Sequence, residues 1–291
     1  MRNRDSFKEQ KGYFTFAQNN DTTDYLTLAY AQALSVKCTQ KINSFAVAVD
    51  YNTKQQITDK HRKVFDYIID IPEDLAAHDS WKLKNEWKAW HLTPFKETIK
   101  IESDILLTRS IDHWWSGMQN SEICLTSKIL DYEGNVSNNR AYRKLFDDNL
   151  LPDVYNGFMY FRFGKDSLKF FLYAQHIFEN WDLYRTKVLN NCRDPEPTTD
   201  VVYAIAASMI GVEKCINPVI SYPTFVHMKG AINGFETNAD WTTKLYAQLD
   251  DELHLTVGFT RQQYPFHYQN KKFITPEIIE KYEQQFARQS V

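Results

Sequence analysis

The segment Lys96-Glu97-Thr98-Ile99-Lys100-Ile101-Glu102-Ser103-Asp104-Ile105-Leu106-Leu107 decides how the rest of the chain is read. Its apolar, strand-like positions enclose a short acidic step. In an extended chain, residues two apart point to the same side, so Glu102 and Asp104 can face one cation. Hard divalent ions such as Mg²⁺ or Mn²⁺ take oxygen ligands and are held by one or two carboxylates together with substrate phosphates. A metal held in this way would neutralise the diphosphate of a leaving nucleotide. The spacing alone carries little weight. With 37 acids in 291 residues, chance gives roughly five acid-x-acid pairs. The chain has four, at Glu102/Asp104, Asp131/Glu133, Asp194/Glu196 and Asp250/Glu252. Only the first lies within a strand-like apolar run.

Outward from this step, strand-like and helix-like segments alternate. Gly12–Ala17 reads as a strand closed by the polar turn Gln18-Asn19-Asn20-Asp21. Thr23 or Asp24 can cap a following helix. Ser44–Asp50 is a near-continuous apolar run ending in an acid, the pattern of a strand covered on both sheet faces. Val64–Ile71 gives a third strand, stopped by Pro72. Trp81–Leu92 is a Trp- and Lys-rich helical stretch. Ile123–Leu130, Tyr155–Phe163 and Ile220–His227 are further strands, and Leu168–Trp181 and Asp200–Met209 further helices. Thr275-Pro276-Glu277 opens a last helix through about Arg288. The alternation predicts an α/β fold with a mainly parallel sheet flanked by helices. In such sheets ligands bind beyond the carboxyl ends of the strands. That directs attention to Gln18-Asn19, Asp50, Asp104 and His227.

Composition narrows the class. The net charge of −3 gives no global drive toward nucleic acid or anionic membrane. Cys38, Cys124, Cys192 and Cys215 are widely spaced with no CxxC pair, which points to reduced thiols in a cytoplasmic setting. The N-terminal MRNRDSFKEQKG lacks an apolar stretch, so no cleaved signal is expected. The longest apolar run, Val201–Val212, is too short for a bilayer, which needs about 20 residues.

Ordered along the chain, these segments resemble the GT-A glycosyltransferases. Pro94–Asp104 is similar to the family's stretch leading into its metal step, with Glu where Asp is commoner in the first slot. Tyr155-Asn156-Gly157-Phe158 resembles the family's "Asn-x-Gly" strand beside the acceptor cleft, one residue shorter. Pro197-Thr198-Thr199-Asp200 resembles its acid-bearing helix start. Phe225-Val226-His227-Met228-Lys229-Gly230 is similar to its late "His-x-x-Gly" segment. The resemblance covers roughly residues 12–235 and implies a catalytic core over 1–235 with a C-terminal extension, 236–291, packed on it. It implies a metal shell of Glu102, Asp104 and His227, occupied by Mn²⁺ or Mg²⁺, and a nucleotide-sugar donor, with UDP as its nucleotide.

Within that reading, Gln18, Asn19 and Asp50 would frame the nucleoside, since amides and carboxylates pair with base edges and ribose hydroxyls. A role as plain turn residues serves Gln18 and Asn19 equally well. Lys229, followed by Gly230, would hold a diphosphate oxygen. Asp200 is the candidate general base or acceptor-orienting group, against the plainer role of a first-turn acid favoured by the helix dipole. Asn156 is expected to touch donor or acceptor.

The same segments also resemble sugar transferases of T-even-type phages, which would place the chain in a host cytoplasm. That resemblance implies 5-hydroxymethylcytosine in phage DNA as an acceptor for arabinose or glucose. Three basic-aromatic clusters could track phosphates: Trp81, Lys82, Lys84, Trp87, Lys88, Trp90 and His91; Arg140, Arg143 and Lys144; Arg261, Tyr264, His267, Lys271 and Lys272. A saccharide or protein acceptor stays open, as does a sugar-nucleotide-binding module without catalysis. A nucleotidyltransferase would be expected to carry a Gly-rich loop after the first strand, where this chain has Gln18-Asn19-Asn20-Asp21.

Overall fold

The computed structural model describes residues 7–79 and 82–289. Its central sheet holds β1 (Glu9–Ala17), β2 (Phe45–Val49), β3 (Tyr67–Asp70), β4 (Phe95–Ile101), β6 (Ile123–Thr126) and β7 (Tyr155–Arg162), in the order β3-β2-β1-β4-β7-β6. β1, β2, β3 and β4 run parallel, and β7 runs antiparallel to both β4 and β6. The expected mainly parallel α/β sheet is therefore present. Two three-stranded sheets accompany it. One joins β5 (Ile105–Leu106), β12 (Phe266–His267) and β8 (Val226–His227). The other is a meander of β9 (Ala247–Leu249), β10 (Leu255–Val257) and β11 (Thr260–Arg261).

Both faces of the central sheet are covered. The helix Tyr25–Thr39 lies on one face, capped by Asp24, whose carboxylate accepts from the Thr27 amide. It is buried almost all round because the C-terminal helix Pro276–Gln289 packs over it. Helices Lys165–Glu179 and Thr199–Ile210 cover the opposite face with Phe170, Phe171 and Tyr203. Strand β2, Phe-Ala-Val-Ala-Val, is buried at every position, as a strand sandwiched on both faces must be.

Several expected elements come out shorter. Val64 ends a helix, Asp59–Val64, and only Tyr67–Asp70 pairs as a strand. The stretch Lys82–Leu92 is a 3₁₀ segment followed by a single α-turn, while Trp81 lies outside the described residues. Of Ile220–His227 only Val226-His227 is strand, following the cis Tyr222–Pro223 bond. Among the described residues no helix is long and apolar enough to cross a membrane.

Candidate active site and metal centre

The acidic step sits where β4 leaves the sheet. The Glu102 amide donates to the Gly157 carbonyl (2.9 Å), and the Ile105 amide returns to the Glu102 carbonyl (3.1 Å). The chain thus turns between the two acids instead of staying extended. Gln32, buried on the neighbouring helix, donates its amide to the carbonyl oxygens of Glu102 and Ile105 and pins that turn. The two carboxylates converge because of this turn; strand alternation is not the cause.

The turn launches β5 into the small sheet, and that sheet brings in the imidazoles. Antiparallel pairing sets Ile105 opposite His267, and parallel pairing sets His267 beside His227. Partners in register share a face, so the rings stack, with centroids 4.5 Å apart and planes 18° from parallel. His267 is the inner member. Its Nε2 lies 2.8 Å from Asp104 Oδ2 and 3.7 Å from Glu102 Oε2. Lys271 Nζ contacts the same Asp104 oxygen. One ligand atom from each of Glu102, Asp104 and His267 lies within 4.8 Å of the others.

That donor set suits a hard divalent cation. Adjacent ligand atoms of an octahedral Mg²⁺ lie roughly 3 Å apart and opposite ones about 4 Å, and the separations of His267 Nε2 from the two carboxylates, 2.8 and 3.7 Å, match this spacing. The Lys271 ammonium on Asp104 marks the same corner as one that accepts positive charge. Both His227 and His267 keep a buried Nδ1 with no hydrogen-bond partner. Burial alone would raise the Asp104 carboxyl, but His267 and Lys271 outweigh it and hold the group below the usual carboxylate range. His267 is pushed the other way: burial opposes its charge, yet Asp104 lifts its pKa. His227, buried against His267 and Lys229, is driven well below the ordinary histidine value and stays neutral.

A polar chain continues from this corner beneath the cleft floor. Asn156 donates from Nδ2 to Glu102 Oε1 (3.0 Å) and accepts at Oδ1 from the buried Lys100 ammonium (3.1 Å). Lys100 in turn is ion-paired with Glu86. The Asn156 backbone amide donates to Asp200 Oδ1 (2.7 Å), and Arg143 donates to Asp200 Oδ2 (3.1 Å).

Gln18, Glu102, Asp104 and Asp200 line one cavity of about 290 Å³, together with His267 and Lys271. An adjoining cavity of about 920 Å³ is lined by Asn19 and shares Tyr25, Lys82, Leu83, Gln269 and Lys271 with the first. Asp50, Asn156, His227, Lys229 and Gly230 line neither. Asp50 caps a short helix by accepting from the Thr53 amide (2.7 Å) and receives Gln18 Nε2 at 3.4 Å. Lys229 lies over the Tyr142 ring at 3.9 Å. Gly230 is packed against backbone, since a Cβ there would meet the Glu236 carbonyl oxygen at 2.1 Å.

His267 and Lys271 come from the segment read as an extension, and Arg143 from one read as a basic cluster. The signal that could have found His267 is Phe266-His267, an apolar residue followed by histidine as in Val226-His227, with which it pairs.

No protein family and no curated protein matches the sequence. Solved structures do match in shape. The bifunctional glycosyltransferase WbbM aligns over 97% of this chain at 12% identity and TM-score 0.53, and the chain spans half of WbbM's length. Mouse xyloside xylosyltransferase 1 aligns over 70% of this chain and 83% of its own, at 10% identity and TM-score 0.45. The galactosyltransferase LgtC, solved with donor and acceptor sugar analogues, aligns over 70% and 72%, at 13% identity and TM-score 0.46. The chain has the GT-A fold. Within it, the acidic step and Asp200 sit at the carboxyl edge of β4 and in the first turn of the helix Thr199–Ile210, opening on the same cavity.

Proposed function

We propose that the protein transfers a sugar from a nucleotide-sugar donor, UDP-linked, to an acceptor hydroxyl. One observation carries the reading: on a GT-A fold, a cation-ready trio and a second, anchored carboxylate face one cavity. Glu102, Asp104 and His267 would hold Mn²⁺ or Mg²⁺, with His227 stacked behind His267. When bound, the metal supplies neutralisation of the diphosphate's charge. Lys271, which lines both cavities, takes the phosphate-facing role expected of Lys229. Gln18, Asn19 and Asp50 form the nucleoside end, Asp50 by supporting Gln18 from behind.

In the reaction the bond from the sugar's anomeric carbon to the diphosphate oxygen breaks and a bond to the acceptor oxygen forms. The acceptor hydroxyl proton is released. Asp200 orients that hydroxyl as a hydrogen-bond acceptor or takes its proton. Asn156 holds Glu102 and Asp200 in fixed relation.

The acceptor is best read as a saccharide or protein hydroxyl. The basic clusters that would favour modified DNA are mostly engaged elsewhere. Lys82 and Lys88 donate to backbone carbonyls, and Lys84 pairs with Asp79 and Glu196. Arg140 pairs with Asp147 and Asp153, Arg143 with Asp200, and His267 with Asp104.

The test is release of UDP from a panel of UDP-sugars with Mn²⁺, with and without EDTA, in the wild type and in Asp104→Ala. Metal-dependent release that is lost in a folded Asp104→Ala variant is expected. Full activity of that variant in EDTA would end the proposal. Tight UDP-sugar binding with no release from any donor would make the chain a binding module.

A further inference from the structure

We infer that Arg143 is a positioning residue: it fixes the plane of the Asp200 carboxylate at the acceptor side of the cleft. The inference rests on the proposed transfer reaction, and it adds a residue whose side chain does not line the cavity. Arg143 is one of the largest fully buried side chains, 1% exposed. Its guanidinium lies 3.6 Å from the Phe146 ring centroid and 4.1 Å from that of Tyr155. Between these rings the planar group has little freedom to swing. Its fork is divided: one NH₂ donates to Asp200 Oδ2 (3.1 Å), the other to the Val154 carbonyl (2.7 Å). Asp153 Oδ1 lies 3.5 Å from Nε, and Arg140 holds Asp153 in turn.

Two features separate this from an ordinary buried ion pair. First, the other Asp200 oxygen is taken by the Asn156 backbone amide, so donors at both oxygens set the carboxylate's rotation. Second, Asp200 is not wholly enclosed. A third of its side chain is exposed, and it lines the cavity that holds Glu102 and Asp104. A first-turn acid serving only its own helix would turn toward that helix's amides. Asp200 instead bonds across to Arg143, just ahead of the short helix Lys144–Asp148, and to the Asn156 amide on β7. A buried cation with aromatic walls is an expensive way to hold a carboxylate that merely decorates a surface. It suits one that must present its remaining lone pairs in a set direction.

The measurement is UDP release from UDP-glucose with Mn²⁺ and water as acceptor. There the bond from the anomeric carbon to the diphosphate oxygen breaks, water's oxygen bonds to carbon, and one proton is released. Arg143→Gln should lower kcat at least 30-fold while KM for UDP-glucose and the Kd for Mn²⁺ stay within threefold. Arg143→Lys, which keeps the charge but not the fork, should fall between. The double variant Arg143→Gln/Asp200→Asn should be no slower than Asp200→Asn alone, because the arginine acts through that carboxylate. A folded Arg143→Gln variant with unchanged kcat, or losses that multiply in the double variant, would overturn the inference. If Arg143→Gln does not fold, Arg143→Lys carries the same comparison. If the wild type releases no nucleotide from any donor, the transfer reading fails by itself. The positioning claim is then read from ¹⁵N-asparagine-labelled protein. The Asn156 amide resonance should move in Arg143→Gln toward its position in Asp200→Asn, and an unmoved resonance would refute the claim.

Discussion

Replacing His267 with alanine tests which imidazole belongs to the proposed metal centre. His267 contributes one of three donor atoms lying within 4.8 Å, and its Nε2 is 2.8 Å from Asp104 and 3.7 Å from Glu102. His227 reaches the centre only through the ring stack. Removing a partner that supports a metal ligand lowers metal affinity by about 10- to 100-fold. Loss of the ligand itself belongs at or beyond the upper end, so His267→Ala should weaken Mn²⁺ binding about 100-fold, or about 2.7 kcal/mol. His227→Ala, acting through the stack, should cost roughly tenfold. The assay is titration of the purified protein with Mn²⁺ followed by EPR of the free ion, repeated with UDP present. Melting temperatures of both variants guard against a collapsed fold. A larger loss for His227→Ala would return the ligand role to His227, where the sequence pattern put it. Unchanged affinity in both variants would refute the imidazole-completed site.

Lys100→Met removes one partner of a buried ion pair and leaves Glu86 uncompensated. It should destabilise the fold by about 3 kcal/mol and lower the melting temperature by roughly 6 °C; calorimetry showing no change would refute the pairing. Gly157 faces Phe225 so closely that an added Cβ would lie 2.9 Å from that ring. Since Phe225 packs beside both His227 and His267, Gly157→Ala should cost about 1–3 kcal/mol by overpacking and weaken Mn²⁺ binding; stability equal to wild type would count against it. A pH effect follows from His61, whose Nδ1 accepts from the Thr58 amide (3.0 Å) and whose burial lowers its pKa below the ordinary value. The unfolded chain binds this proton more readily than the folded one, so the stabilisation is complete above about pH 6.5 and is lost as pH falls toward the folded value. His61→Gln keeps the capping contact without the titration and should flatten the acid limb in urea unfolding between about pH 7 and 5; an unaltered limb would refute the assignment.

The fold was legible because strand-like runs alternate with helix-like segments, most clearly at Phe45–Val49, which is apolar throughout and lies between two helices. The acidic step was legible for the same reason, being the only such pair in an apolar run. What the pattern hid has physical causes. Glu102 and Asp104 converge through a turn held by Gln32, a contact 70 residues away that no local spacing reveals. His267 belongs to a two-residue strand whose meaning lies in its pairing with β5 and β8. Lys271 looked like one of several surface cations until the fold set it on Asp104. In the same way, a run of lysines between tryptophans read as a phosphate-tracking face, while in the fold Lys82 and Lys88 close carbonyls and Trp90 stacks on Phe163. Local pattern reports periodicity well and says little about which distant partner consumes a charge.

The antiparallel course of β7 explains why the two halves of the cleft are joined. A parallel strand beside β4 would bring its own carboxyl end to the acidic step. β7 runs the other way, so its first residues lie where β4 ends, with Phe158 opposite Ile101 and the Gly157 carbonyl accepting from Glu102. That register delivers Asn156 next to Glu102, with its side chain on the Glu102 carboxylate and its amide on Asp200. A single residue at a strand start therefore ties the acid that would face the donor to the acid that would face the acceptor. The Lys100 ammonium, buried on β4, accepts no proton from Asn156 and can only donate to its carbonyl oxygen, which leaves the amide nitrogen to Glu102. Backbone register and one amide orientation, both enclosed in the core, thus help set the relation between the two carboxylates, alongside Gln32 at the Glu102 turn and Arg143 at Asp200.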